Sequence, residues 1–115
     1  MTSPPKWALE MAQFSPNSVV AWVGGVEANK RFPRKLLLLV TANEIVCLTV
    51  GFLTRQVRRA PKGQVTSMAY NTGIEFDIFA LRIPADDSSI VRMQIDRRNR
   101  SHAWKVLEEL HKGVG

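Results

Sequence analysis

The chain has 115 residues, of which 45% are hydrophobic and 23% charged, and it carries a formal charge of +6 with a pI near 10.1. This composition predicts one soluble globular domain with its own core. It excludes a membrane-spanning helix, because no apolar run approaches the roughly 20 residues that cross a bilayer. The first residues lack the pattern of a secretory signal, so we expect a cytoplasmic protein that makes at most peripheral membrane contact. The single cysteine, Cys47, is expected to be a buried free thiol.

A short helix is predicted at the N-terminus. The Ser-Pro-Pro sequence at positions 3–5 suits a helix start, and Trp7, Met11 and Phe14 then recur at helical spacing. Ser15–Asn17 would end the helix. Its aromatic side could anchor a partner or a membrane, or it could dock on the protein's own domain, which is the interpretation we favour.

Seven segments after this helix have the apolar character and the turn boundaries of strands. They are Val19–Val26, Leu36–Thr41, Ile45–Val50, Thr54–Ala60, Gln64–Tyr70, Ile74–Ile83 and Ile90–Ile95. Gly24 and Gly25 predict a bulge or a strong bend in the first strand. The turn at Pro84–Ser89 contains Asp86 and Asp87, which we expect to be solvated.

The sixth of these segments has an irregular pattern. Ile74, Phe76 and Ile78 alternate with polar residues, but the apolar residues from Phe79 to Ile83 alternate in the opposite phase. Because side chains alternate between the faces of a strand, this change of phase predicts a bulge near Ile78 and Phe79.

An amphipathic helix is predicted over Asp96–His111, with the Asp96 carboxylate as its N-cap and Gly113 as its stop. Its apolar stripe consists of Ala103, Val106, Leu107 and Leu110. A single helix after a run of strands is expected to cover an open apolar surface of the sheet. In that position it would bury Trp104, Leu107 and Leu110.

Seven short strands and this helix predict a mainly β fold. We expect a seven-stranded antiparallel orthogonal sandwich or partly open barrel, capped by the C-terminal α-helix and preceded by the short N-terminal helix. Residues 1–17 are interpreted as a helical extension and residues 18–113 as the domain itself.

The chain resembles the pleckstrin-homology (PH) superfold between Ser18 and His111, and in particular bacterial PH-like modules and the PH-type modules of class I myosin tails. The segments that carry the resemblance are LLLVTAN at Leu37–Asn43, VRRAPKGQVTSMAY at Val57–Tyr70, LRIP at Leu81–Pro84 with Ser89–Ile95, and the helix with Ala103, Trp104 and Leu107. The resemblance implies a PH-like fold and a binding module. Members of the superfold recognise lipids, phosphopeptides or other proteins.

Basic residues cluster where the resemblance implies binding of an anionic lipid headgroup, in the loop after the first strand and at the start of the second, and two more beyond the next hairpin, Arg55 and Arg58, could complete the rim. These candidate site residues are Lys30, Arg31, Arg34, Lys35, Arg55 and Arg58. Pro33 interrupts the spacing of basic residues that lipid-binding members show. Four cations near an anionic leaflet contribute about 4 kcal/mol, a dissociation constant on the order of millimolar, so charge alone predicts weak and salt-sensitive binding.

Two other classes of partner remain open. A protein-interaction module would bind a peptide along the fifth strand or beside the C-terminal helix. Nucleic-acid binding rests on the pI and on Arg97, Arg98 and Arg100, and ranks last because interleaved aromatic residues are missing. We expect no enzyme, because no nucleophile or nucleotide-binding motif is present. We also expect no metal or cofactor, because His102 and His111 point to different sides of one helix.

Overall fold

The computed structural model describes residues 3–83 and 89–114. This part of the chain contains two helices and seven strands. They are α1 (Lys6–Ala12), β1 (Val19–Glu27), β2 (Lys35–Thr41), β3 (Glu44–Val50), β4 (Arg55–Pro61), β5 (Thr66–Asn71), β6 (Phe76–Ile83), β7 (Ser89–Asp96) and α2 (Arg100–Val114). The turn expected around Asp86 and Asp87 lies outside the described residues.

The seven strands form one sheet in the order β4-β3-β2-β1-β7-β6-β5, and every neighbouring pair is antiparallel. The expected mainly β fold with a C-terminal helix and a short N-terminal helix is therefore confirmed. The sheet does not close into a barrel, because β4 and β5 form its two edges. The structure has a single continuous sheet, whereas the sequence predicted either an orthogonal sandwich or a partly open barrel.

One core unites side chains from both halves of the sheet. Leu38 of β2, Phe79 of β6 and Met93 of β7 belong to the same buried cluster, together with Val106 and Leu110 of α2. Strands so far apart in the strand order can share a cluster only if the sheet curves around it. The helix α2 lies against this concave face, chiefly beside β1.

Gly25 of β1 permits a close approach between two strands. A Cβ on Gly25 would lie 2.3 Å from the backbone oxygen of Gln94 in β7, so glycine is needed where the two strands meet. Of the bulge or strong bend predicted at Gly24 and Gly25, the bulge is wrong, because both residues pair regularly with β2, and the bend stays a prediction. The irregularity in the β1–β2 pairing lies at the start of β1, between Val19 and Ala21.

The helix α1 docks on the convex face of the sheet. Its Ala8 and Ala12 are fully buried, and their small side chains let the helix lie close to the strands. The second apolar cluster joins them to Leu37, Leu39, Val46 and Leu48. Because α1 covers one face of β2 and the main core covers the other, this strand is apolar on both sides. Trp7 of α1 and Phe14 just after the helix pack against this cluster, as the docking interpretation expects.

The bulge predicted in β6 is also wrong. Pairing with β7 is unbroken from Phe76 to Ile83. The inward-facing position at the start of the strand is occupied by Asp77, which is fully buried, while Phe76 on the other face remains partly exposed. The apparent change of phase therefore reflects a buried carboxylate in a regular strand.

The Asp77 carboxylate is held by charged and polar donors. Nε and Nη2 of Arg100 donate to its two oxygens at 2.7 and 2.8 Å, and the Tyr70 hydroxyl and the backbone N–H of Gly73 donate as well. The Arg100 guanidinium, with these other donors, lowers the pKa of Asp77. Burial, followed by the neighbouring Asp77, raises the pKa of Tyr70, so its hydroxyl remains a donor.

The predicted C-terminal helix is confirmed with shifted ends and one misplaced side chain. Asp96 accepts a hydrogen bond from the backbone N–H of Arg98, a 3₁₀ turn follows, and α2 then continues through Gly113 to Val114. Leu110 is fully buried, as expected. The prediction that Trp104 is buried is wrong, because this residue is 51% exposed and its ring lies against that of Tyr70 at 5.3 Å between centroids.

Candidate functional site

Basic residues from three parts of the chain line one cavity of about 250 Å³. We call it the basic pocket. Its polar lining residues are Glu27, Lys30, Arg34, Gln56, Arg58 and Arg92. Four basic residues thus line the cavity together with one carboxylate residue, Glu27. A concave surface with this charge is suited to a small anion.

Strand alternation decides which of the predicted cations line this pocket. Leu36 faces the main core, so Arg34, two residues earlier, projects toward the same side. Arg58 likewise shares its face of β4 with the buried Ala60. Of the six predicted site residues, the structure therefore brings Lys30, Arg34 and Arg58 together.

Arg34 is already engaged by a carboxylate of the same pocket. Its Nε and Nη2 lie 2.9 Å from Oε1 and Oε2 of Glu27, and its backbone N–H donates to the same carboxylate. This two-point pairing with Arg34 lowers the pKa of Glu27. An arginine can bind phosphate at two points, but Arg34 uses that geometry here to hold together the two ends of the β1–β2 loop.

Arg58 is half-buried on the concave side of β4. Its Nη2 donates to Oγ1 of Thr49 at 3.3 Å and contacts Sγ of Cys47 at 3.6 Å. Burial raises the pKa of Cys47, so this sulfur is a neutral thiol, as expected for a buried free cysteine. The guanidinium is thereby held in one orientation at the wall of the pocket.

Arg92 is a pocket residue that sequence reasoning missed. It looks like an ordinary exposed residue of an alternating strand, because Val91 and Met93 on either side are buried. It lines the cavity where β7 meets the end of β1, and there the backbone N–H of Ala28 donates to the carbonyl oxygen of Arg92 at 3.0 Å. No local sequence signal indicates this contact, since it depends on the pairing of β1 with β7.

The other three predicted cations lie outside the pocket. Lys35 is on the convex face, with Nζ 5.3 Å from the ring centroid of Trp7. Arg55 is exposed at the start of β4. Arg31 is exposed in the β1–β2 loop, where its guanidinium carbon lies 5.6 Å from the ring centroid of Phe32. These three contribute to the surrounding positive charge but do not line the cavity.

The arginines at the start of α2 are remote from the pocket. Arg98 pairs with Asp96 at 3.1 Å, and Arg100 pairs with Asp77. They follow the end of β7 that is opposite to Ile90, which lines the pocket, and this length of strand corresponds to about 20 Å. These ion pairs with Asp96 and Asp77 stabilise the fold and do not enlarge the basic site.

A larger cavity, of about 790 Å³, lies between the end of α1 and the β2–β3 turn. Its charged lining residues are Arg59 and Glu44, which pair with each other at 3.3 Å, and Arg59 also donates to the carbonyl oxygen of Ala12. The larger cavity therefore lacks the excess of positive charge that the basic pocket has. The basic pocket remains the stronger candidate site.

Within residues 3–83 and 89–114, no cluster of three or more histidine, cysteine or acidic side chains could hold a metal ion. In the same residues, neither helix has the length and apolar character needed to cross a bilayer. The chain matches no protein-family model, no curated protein and no solved structure at a significant level.

Proposed function

We propose that the protein is a non-enzymatic PH-like binding module whose basic pocket takes up the phosphate-bearing headgroup of an anionic phospholipid at a membrane surface. The observation that carries this proposal is the convergence of Lys30, Arg34, Arg58 and Arg92 on one cavity. Phosphate oxygens accept charge-assisted hydrogen bonds from such cations, and arginine can bind them at two points.

The PH-like part of the proposal has its own support. The strand order β4-β3-β2-β1-β7-β6-β5 and a C-terminal helix on the concave face are compatible with that superfold. The ends of β1, β2, β3 and β4 place two connecting loops together at one end of the sheet, beside the basic pocket. A fold of this kind does not by itself specify a ligand, so the proposed function rests on the pocket.

The expected affinity is low. Each cation close to an anionic surface contributes about 1 kcal/mol, and Glu27 offsets part of the charge of Arg34. Binding should therefore weaken steeply as salt screens the surface, over a Debye length of about 10 Å at 0.1 M.

The test is cosedimentation with vesicles that contain phosphatidylserine and a phosphoinositide, compared with vesicles of phosphatidylcholine alone. Lys30→Gln with Arg92→Gln removes two exposed pocket cations and should weaken binding about 30-fold, since two losses of about 1 kcal/mol are involved. The matched control, Lys6→Gln with Arg97→Gln, removes the same charge from exposed positions outside the pocket and should reduce binding much less. Equal binding by the two double variants would overturn the proposal, because net charge alone would then explain the association.

A second candidate function is supported by a different surface. The edge strand β5 has a neighbour on one side only, and α2 places the half-exposed Trp104 against Tyr70 of β5. An extended peptide could add to this edge and contact the aromatic pair. This protein-interaction alternative needs no lipid, and binding there would leave the basic pocket unaffected.

A further inference from the structure

Three large apolar side chains project into solvent beside the basic pocket. Phe52 is 98% exposed and Leu53 is 88% exposed in the turn between β3 and β4, and Phe32 is 83% exposed in the β1–β2 loop. We call these three residues the apolar tip. Side chains of this size are usually buried in a core, so a group of three at full exposure suggests an interaction surface.

The turn between β3 and β4 does not need these residues for its own geometry. The backbone N–H of Gly51 donates to the carbonyl oxygen of Thr54 at 2.8 Å, which leaves Phe52 and Leu53 at the two outermost positions. Such positions usually carry glycine, asparagine, aspartate or proline, which favour turn conformations. Phenylalanine and leucine contribute no comparable preference there, so their presence calls for another explanation.

The two loops that carry the apolar tip lie against each other. Lys35 at the start of β2 pairs with Val50 at the end of β3, so the loops emerge from the same end of the sheet. A Cβ on Gly51 would lie 2.9 Å from Cδ of Arg34, which shows direct packing between the β3–β4 turn and the pocket arginine. The apolar tip and the basic pocket therefore belong to one end of the molecule.

The charge around the apolar tip is mainly positive, although the Glu27 carboxylate in the adjoining pocket offsets part of the charge of Arg34. The stretches 28–35 and 51–55 contain five basic residues and no acidic residue. The five are Lys30, Arg31, Arg34, Lys35 and Arg55. Apolar side chains flanked by cations match the interfacial layer of an anionic bilayer, where acyl chains lie beneath negative headgroups. A neutral protein groove would not require these flanking cations, and the net positive charge would disfavour a second copy of the same end.

We propose that Phe32, Phe52 and Leu53 insert into the headgroup–acyl boundary of an anionic membrane and so hold the basic pocket against the headgroups. This inference rests on the proposed function. It adds a defined orientation of the protein on the membrane and an apolar contribution to the binding free energy. Because insertion buries apolar surface, the bound state should retain part of its affinity at salt concentrations that screen the cations.

The first experiment measures partitioning onto phosphatidylserine-containing vesicles at 0.1 and 0.5 M salt. Phe52→Ala with Leu53→Ala should weaken binding at least tenfold at both salt concentrations. Each substitution removes a large part of the apolar surface that the side chain would bury in the membrane. Ile74→Ala is the matched control, because Ile74 is 87% exposed in the turn between β5 and β6 and should leave binding unchanged. Both variants should unfold at the wild-type temperature, because the altered side chains are outside the core. Unchanged binding by the Phe52/Leu53 variant, or equal losses in both variants, would overturn the insertion.

The second experiment separates failure of insertion from failure of the proposed function. An environment-sensitive fluorophore is attached at Phe52→Cys, and in a parallel sample at Ile74→Cys, with the buried Cys47 left in place. On anionic vesicles the label at position 52 should shift its emission to the blue, and the label at position 74 should not. Cosedimentation without any shift at position 52 would overturn insertion and leave headgroup binding intact. Absence of cosedimentation at low salt would overturn both insertion and headgroup binding. An emission shift without vesicles, accompanied by self-association in sedimentation velocity, would also contradict insertion.

Discussion

Asp77 is the residue whose environment departs most from its sequence context. It stands in a strand between Phe76 and Ile78, and the hydrophobic pattern places it at an apparent break in phase. In the folded protein it is fully buried and accepts hydrogen bonds from Arg100, Tyr70 and Gly73. A buried carboxylate is tolerated only with such partners, because its desolvation would otherwise be too costly. The bonds to Arg100 and Gly73 connect the start of α2 to the turn between β5 and β6.

Asp77→Asn should therefore destabilise the protein by about 3 kcal/mol at pH 7, as expected when one partner of a buried ion pair is removed. Denaturant unfolding measures this. The control is Asp96→Asn, which also removes a carboxylate paired with an arginine but does so at an exposed position and keeps a capping side chain, so its effect should be much smaller. Equal unfolding midpoints for Asp77→Asn and the wild type would contradict the structural role.

The same residue predicts a dependence of stability on pH. Because the folded-state pKa of Asp77 is lowered, its contribution is complete above the unfolded-state value of about 4 and is lost as pH falls through the folded-state value. The free energy of unfolding should decline more steeply below pH 4 in the wild type than in Asp77→Asn. Parallel pH profiles for the two proteins would show that Asp77 is not the group responsible.

At the scale of elements, α2 divides into a structural face and a surface face. Leu110 is fully buried in the main core, whereas Trp104 is 51% exposed beside Tyr70. Leu110→Ala should cost about 3 kcal/mol, and Trp104→Ala about 1 kcal/mol. Thermal or denaturant unfolding of the two variants checks the order. A larger loss for Trp104→Ala would mean that the tryptophan, and not Leu110, anchors the helix.

The elements were more predictable than the details of their packing. Alternating and continuous apolar runs located all seven strands, because burial on one or both faces leaves a direct trace in the pattern. The two predicted bulges failed for different physical reasons: Gly25 serves a close approach to β7, and Asp77 replaces an apolar residue on the inner face of β6. Trp104 was placed wrongly because the stripe of a helix does not show how far its edge is covered by the sheet.

At the scale of the whole molecule, the curvature of the sheet assembles the candidate site. Lys30 and Arg34 could be grouped from sequence because they share a loop, and Arg58 could be added as a basic residue just beyond the next hairpin. Arg92 could not, since its position depends on β1 crossing from β2 to β7. Lys35 was grouped with Arg34 as a neighbour in sequence, but strand alternation places it on the opposite face, next to Trp7. Clusters of charged residues in a sequence therefore indicate which region of the chain forms a site, but not which individual residues line it.

We propose that anionic headgroups bind at the basic pocket and not at the edge of β5. Amide chemical shifts of the isotope-labelled protein, recorded during titration with phosphatidylserine-containing nanodiscs, test it most directly. We predict changes concentrated in residues 28–36, 51–58 and around Arg92, with little change at Tyr70 and Trp104. Changes concentrated at Tyr70 and Trp104, with an unaffected β1–β2 loop, would contradict the account.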